Sequence, residues 1–457
     1  MPPHTSSDRT GRAGGALPRA TPAEQLRIAA AVVLPALAGG VIKRRPAGTA
    51  LAERFQLDRY GIRTLARLRR TYGEGPLLLS PAGRPVALLL TPESLRRVLA
   101  ETPAPFTPAS WEKRGALSQF QPHGSLITRG PARDARRRAN EQALEQDRPL
   151  HRLAPAITAA VRDEAGILAG GTAARGRLGW DDFADSWWRT VRRTVLGEAA
   201  RDDVELTDQL GRLRAAGNWS VLLPRRRRLR ARFLGRIRDL AGAAGPGTLA
   251  EAVAALPGEP EPGTSGEEAA GQVPHWLFAF DAAGITAMRT LALLATHPDA
   301  MARAREETAG GGPDRPRLLP FLRACALEAV RLWPTTPLLL RQGTTDTRWQ
   351  GQTVPRRTTF LAHTPYFHRA EPETPYADRF DPDIWLDGRA AANPALVPFS
   401  AGPGVCPGEN VVLLHVSTWL AAMLPDHDYR LVSRVRPAPD RPLPATLDHF
   451  ALRFAVR

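Results

Sequence analysis

Two cysteines stand in 457 residues, too few to staple a small secreted scaffold. Lysine is nearly missing as well: Lys43 and Lys113 are the only two, so arginine supplies almost all of the 62 basic residues behind a formal net charge of +16. An arginine excess beside so much Ala, Gly and Pro reads as codon bias more than as a phosphate footprint. The densest basic run, residues 224–230, has no interleaved aromatics. Leu222, Leu223, Ile237 and Leu240 around it keep helical spacing, so it reads as the solvated face of a helix. No nucleic-acid partner is expected, while an acidic protein partner suits the charge. Long apolar runs are also lacking. The longest candidate, Ile28 to Ile42, is interrupted by Pro35, Gly39 and Gly40 and falls short of the ~20 apolar residues that span a bilayer. It reads as a helix packed on the protein's own surface, with interfacial membrane contact or export as the other readings. A cytoplasmic protein with no transmembrane segment is the expectation, peripheral membrane contact being the second reading.

What is present is material for one large core, since 43% of the residues are hydrophobic. Residues 1–22 are rich in Ser, Thr, Gly and Pro and are expected to be disordered, leaving residues 23–457 as a single domain. Helical periodicity starts at a cap-like Thr21-Pro22-Ala23-Glu24 and returns from Asp58 to Arg70. Two apolar runs around Ser80-Pro81-Ala82-Gly83-Arg84 predict a β-hairpin, and Thr91 caps the next helix. The chain then reads as helical to about Val330, broken by loops at 102–129 and 256–272. After Leu338 it is expected to be irregular and strand-poor until a last helix at 408–424. The class is mainly α with a small β portion.

One stretch carries chemistry: Phe399-Ser400-Ala401-Gly402-Pro403-Gly404-Val405-Cys406-Pro407-Gly408. Glycines and prolines hold fixed turns around a lone cysteine, and an apolar helix opens at Gly408. Amides at a helix N-terminus favour thiolate, which serves as nucleophile or metal ligand. With Phe399, Gly402, Cys406 and Gly408 at its four defining positions, the stretch resembles the haem-ligand loop of the cytochrome P450 family of haem-thiolate monooxygenases. The resemblance implies that fold, with haem b between a long distal helix and the proximal cysteine loop. It makes Cys406 the axial thiolate to iron, with Phe399 packed against sulfur and haem.

Further motifs support the resemblance. Glu328-Ala329-Val330-Arg331 matches the family's E-x-x-R ion pair, whose role is structural and whose partners lie on one helix face. Cys325 in the same helix is assigned to packing. Arg133, Arg137 and Arg341 match positions that bind the haem propionates, for which guanidinium forks are suited. Phe278, Ala279, Ala282 and Ala283 on the distal helix, with Phe106, Trp111 and Phe120 from the 102–129 loop, are the expected substrate pocket. Asp281 stands where the family has its distal acid and is the candidate catalytic residue.

Three departures stand out. Gly404 replaces a propionate-binding cation, Ile384 replaces the arginine that completes a triad with Glu328 and Arg331, and Ala282 replaces the threonine of the proton relay. The resemblance implies insertion of one oxygen atom from O2 into an apolar or amphipathic small molecule, in terpenoid- or polyketide-like secondary metabolism. Electrons would come from a separate ferredoxin-type donor, with Arg136 and Arg138 favouring its docking. The bacterial soluble type is the closest fit. Ala282 leaves peroxide-driven or non-oxygenating haem-thiolate chemistry open, and a haem-binding redox sensor is the non-enzymatic alternative.

Overall fold

The computed structural model describes residues 17–220, 222–256, 270–309, 315–369 and 376–457. Its helices start where side chains meet otherwise orphaned amides. Thr21 and Glu24 form a reciprocal capping box, and Thr91, Ser110, Asp203 and Thr248 each accept from the amide three residues on. The architecture is mainly α. A central helix, Val273–Leu294, is apolar on nearly every face and therefore buried along most of its length. Around it pack Trp180–Leu196, Pro320–Leu332 and the C-terminal helix Glu409–Met423, which in turn lies on Ala154–Arg175. Their apolar faces merge into the larger of two cores.

Ten short strands occur among the described residues: β1 Leu77–Leu79, β2 Val86–Leu88, β3 Phe106–Thr107, β4 Arg177–Gly179, β5 Leu338–Gly343, β6 Thr347–Trp349, β7 Gln352–Val354, β8 Thr359–His363, β9 Tyr429–Leu431 and β10 Arg453–Val456. The principal sheet runs β1-β2-β8-β5-β3. Its hairpin is the expected one, with Leu77 opposite Leu88 and Leu79 opposite Val86. Over this sheet lies the second core, built on Leu77, Leu88, Leu95, Phe106 and Phe360.

Two expectations are corrected. The segment after Leu338 is not strand-poor: β5 and β8 pair in antiparallel fashion from Leu338–His363 to Gln342–Thr359. β5 and β8 are short, and Pro355 between them lies in a connection, so period-2 alternation never runs long enough to stand out. Residues 17–22 are also ordered. Leu17 and Ala20 are buried, the amide of Leu78 donates to the Pro18 carbonyl (2.9 Å), and Ala20 donates to the Leu78 carbonyl (3.0 Å). Residues 1–16, and most of the predicted connector at 256–272, lie outside the described residues.

The apolar run at 28–42 is helical to Gly39, with a π-helical stretch Ala29–Val33. Ile28 and Val32 face inward, while Leu26, Leu34 and Leu37 remain exposed. Among the described residues the one helix long and apolar enough to cross a membrane is the central helix, and it lies mostly inside the protein.

Candidate functional site

The cysteine loop is held by backbone contacts that only small residues permit. The Cys406 amide donates to the Phe399 carbonyl (2.9 Å), and Val405 closes a turn on Gly402 (3.0 Å). Gly402 sits at φ 62°, and a Cβ there would lie 2.5 Å from the Leu99 carbonyl oxygen, so the loop can rest on the Pro92–Ala100 helix only with glycine at this position. The Gly408 amide donates toward the Cys406 sulfur, as expected for a helix N-terminus. Burial is nevertheless the larger effect and pushes the thiol up to about 11, so the helix field alone does not generate thiolate. A coordinating metal deprotonates such a thiol outright.

Cys406 opens onto a cavity of about 270 Å³ bounded on the opposite side by the central helix. Phe278, Ala279, Asp281, Ala282, Ala283 and Thr286 form that distal wall, while Phe399, Val405 and Pro407 flank the sulfur. Ala279, Ala282 and Ala283 carry nothing beyond Cβ, so that part of the distal wall takes up little of the cavity. The Thr286 hydroxyl donates back to the Ala282 carbonyl (3.0 Å). Its proton is therefore spent inside the helix one turn beyond the position where a threonine was expected.

Asp281 does not stand alone. Arg214, from the helix Val204–Gly217, donates to its Oδ2 at 2.5 Å and to the Ile42 carbonyl at 2.9 Å. The same guanidinium lies over the Phe278 ring, 5.1 Å from its centroid. Arg214 is almost fully buried, whereas the Asp281 side chain keeps 23% of its surface. This carboxylate is thus anchored through one oxygen and faces the cavity.

One edge of the cavity is rich in cations. Arg341 on β5 is buried and bonds only neutral acceptors: the Leu340 carbonyl (3.1 Å), Ser400 Oγ (3.2 Å) and Thr102 Oγ1 (3.3 Å). Burial and nearby Arg133 lower it to about 10. Lys113, from the helix Trp111–Leu117, reaches the same edge with its ammonium 3.3 Å from the Leu340 carbonyl. Arg137 also lines the cavity but is already engaged by Glu141 (2.5 Å), Gln146 (2.8 Å) and the Val405 carbonyl (2.8 Å). Arg133 is buried against Asp134 (2.9 Å) and does not reach the cavity wall. A buried guanidinium with no acid in contact is the mark of an anion to be bound. An edge of that kind beside a sulfur ligand in an apolar cleft fits haem b.

Not all predicted pocket residues converge. Phe106 lies in the second core, edge-on to Phe360 with centroids 4.8 Å apart. Trp111 is a surface residue under the Arg84 guanidinium (3.9 Å). Phe120 packs behind Phe278 (5.4 Å) and supports the wall without lining it. Strand β3 and the Trp111–Leu117 helix divide the 102–129 segment, so its aromatics go three separate ways. Lys113, His275 and Arg214 line the cavity and were not anticipated. Lys113 alone carried a signal, as one of two lysines in an arginine-rich chain.

Beneath the cavity, Glu328 and Arg331 form a fully buried bidentate pair (2.6 and 2.7 Å). In place of the arginine missing at Ile384, the Asp381 amide and the Trp385 indole each donate to Glu328 at 3.0 Å. Arg331 in turn donates to the carbonyls of His368, Tyr376, Ala377 and Arg379. Arg379 thus contributes a carbonyl to this cluster, and Ile384 packs as a buried apolar residue. Cys325 is buried one turn before Glu328, with its thiol pushed well up by burial.

Comparison with known proteins gives a consistent result. The cytochrome P450 family model matches residues 262–447. A probable cytochrome P450 4s3 of Drosophila melanogaster is 32% identical over 147 residues, 31% of this chain and 30% of that protein. The 4-hydroxyphenylacetaldehyde oxime monooxygenase of Sorghum bicolor is 28% identical over 171 residues, 35% and 32% of the two chains. The chain therefore spans about a third of the length of these curated relatives. Among solved structures, retinoic acid bound cyanobacterial CYP120A1 superposes with a TM-score of 0.68 at 19% identity, covering 86% of this chain and 93% of that one. The cytochrome P450 fold is shared over most of the chain, and the family's sequence pattern runs through residues 262–447, which hold the Glu328 and Cys406 segments; both support a member of the cytochrome P450 family.

Proposed function

We propose that the protein is a haem-thiolate monooxygenase that inserts one oxygen atom from O2 into an apolar or amphipathic small molecule. The observation that carries this reading is a single cavity with Cys406 at one wall, a carboxylate at the other and an unneutralised cationic edge between them. Haem bound there supplies the activation of dioxygen, with electrons delivered from outside. Cys406 would hold the iron, Phe399 would pack against the sulfur, and Arg341 would face the propionates, with Arg137 tying Glu141 to the Val405 carbonyl at the same edge. Phe278, Ala279, Ala282 and Ala283 form an apolar wall that excludes water and orients a substrate. The small side chains suit a broad skeleton such as a terpenoid or polyketide, in secondary metabolism.

Asp281 would hold the proton needed at the distal side. With no hydroxyl at Ala282, that proton passes through water or a substrate hydroxyl, and only when the carboxylate's free edge turns to the cavity. Arg214 would be the positioning residue that sets this orientation. Electrons would come from a ferredoxin-type donor at the face carrying Arg136 and Arg138. Leu34, Leu37, Trp219, Leu222 and Leu223 are exposed, and the Arg45 guanidinium lies 4.6 Å from the Trp219 ring. These apolar side chains beside a cation support peripheral contact with a membrane surface, from the cytoplasmic side on this reading.

Reconstitution with a ferredoxin and its reductase tests the reading. Substrate-dependent consumption of reductant with one labelled oxygen from O2 in the product is the expected result. Turnover with peroxide alone, indifferent to reductase and to Asp281→Asn, would replace it with the peroxide-driven alternative that Ala282 leaves open.

A further inference from the structure

The resemblance left one contact unaccounted for, because Gly404 stands where a loop cation was expected to meet a haem carboxylate. A Cβ on Gly404 would lie 3.0 Å from an Arg341 guanidinium nitrogen and 3.2 Å from the Thr102 methyl. The volume of a side chain at 404 is thus occupied by Arg341, and glycine is what lets that guanidinium lie against the loop. Arg341 therefore takes one place at the edge, and a second cation is needed for the second carboxylate.

We infer that Lys113 is that second cation, so that Lys113 and Arg341 together receive the two haem carboxylates. The inference rests on the haem-thiolate reading above and adds a residue outside the motifs that led to it. Both side chains line the cavity, and both donate to the same Leu340 carbonyl, at 3.3 and 3.1 Å, which places them side by side. Neither meets a carboxylate among the described residues. The other cations near this edge differ: Arg137 is neutralised by Glu141, and Arg133 by Asp134. Two unneutralised cations face a cofactor edge that carries two negative charges.

The surroundings of Lys113 make its pairing proton-linked. Burial first, and Arg341 second, hold its ammonium down to about 7, against a weaker opposing pull from Glu112. Glu112 itself is engaged by the Thr359 hydroxyl (3.2 Å). From the central helix His275 faces the same edge, and burial with Arg137 and Lys113 keeps it neutral, down to about 4. Arg341, lowered only to about 10, stays charged throughout the neutral range. Lys113 is therefore the group that titrates there. A carboxylate partner raises its pKa, so pairing is complete below pH 7, and haem affinity falls as pH rises from 7 toward the raised value.

Equilibrium competition of the haem-loaded full-length protein with apomyoglobin tests this, using Lys113→Met and Lys113→Arg. At pH 7 the methionine variant is expected to lose roughly tenfold in haem affinity, the scale of one hydrogen bond to a charged group. The arginine variant retains affinity and removes the decline above pH 7, because guanidinium does not titrate there. Equal losses in both variants, or an unchanged pH dependence in Lys113→Arg, would show that Lys113 only packs and would overturn the inference. A wild-type protein that takes up haem without a thiolate-type carbon-monoxide spectrum would overturn the haem-thiolate reading instead, and the two failures are read separately.

Discussion

Two buried carboxylate–arginine pairs sit on opposite sides of the cavity, and they are built to different ends. Glu328 and Arg331 lie three residues apart on one helix, neither exposes any surface, and every polar atom of the carboxylate is bonded. Asp281 and Arg214 come from different helices, share one short contact, and leave part of the carboxylate open to the cavity. A saturated local pair has one arrangement and holds the fold around the cysteine loop. A pair made across elements, with a free oxygen edge, can turn without breaking the fold. A carboxylate paired with an arginine gives a rivet in one place and, on the function proposed above, an acid free to carry a proton in the other.

Breaking the first pair should have the largest effect. Glu328→Gln leaves Arg331 buried without its counter-charge and should cost about 3–5 kcal/mol, seen in denaturant unfolding as loss of soluble, haem-loaded protein. Removing only the indole donor, by Trp385→Phe, should cost about 1.5–3 kcal/mol; an unchanged unfolding midpoint would mean that Trp385 does not replace the missing triad arginine. On the other side the readout changes from stability to turnover. Asp281→Asn should lower turnover on the order of 10²-fold, the scale of a lost proton-transfer group, while the unfolding midpoint falls less than in Glu328→Gln, because Arg214 keeps the Ile42 carbonyl and the Asp281 side is partly open. Arg214→Met should shift the pH profile of turnover and lower it less than Asp281→Asn does, since the acid remains but is no longer oriented. Should Glu328→Gln and Asp281→Asn instead lose stability equally, the contrast between the two pairs fails. The smallest effect is expected of Ala282→Thr, which adds a hydroxyl beside Asp281 and should improve the yield of product per reductant consumed only slightly, because Thr286 already holds the Ala282 carbonyl.

Much of this arrangement was legible in the chain because it is local. The capping box at Thr21, the hairpin about residues 80–84 and the E-x-x-R pair each depend on neighbours within a few residues. The turns of the cysteine loop were legible for the same reason. What escaped was contact between distant segments. Arg214 is one arginine among many until the fold sets it against Asp281, 67 positions away. Trp385 is one of ten tryptophans until the fold sets its indole on Glu328. Phe106 and Trp111 misled because hydrophobic character does not say which of two cores, or the surface, a loop aromatic will join. The thiol expectation failed on magnitude: the helix-terminal amide is present, and burial outweighs it.

The central claim is that Cys406 binds haem iron through a thiolate at the base of this cavity. The reduced, carbon-monoxide-bound visible spectrum of the purified protein, beside that of Cys406→Ser, tests it most directly. The account predicts the red-shifted Soret band that gives the family its name in the native chain and its loss in the serine variant. A globin-like band in the native protein, or a red-shifted band that survives Cys406→Ser, would contradict it.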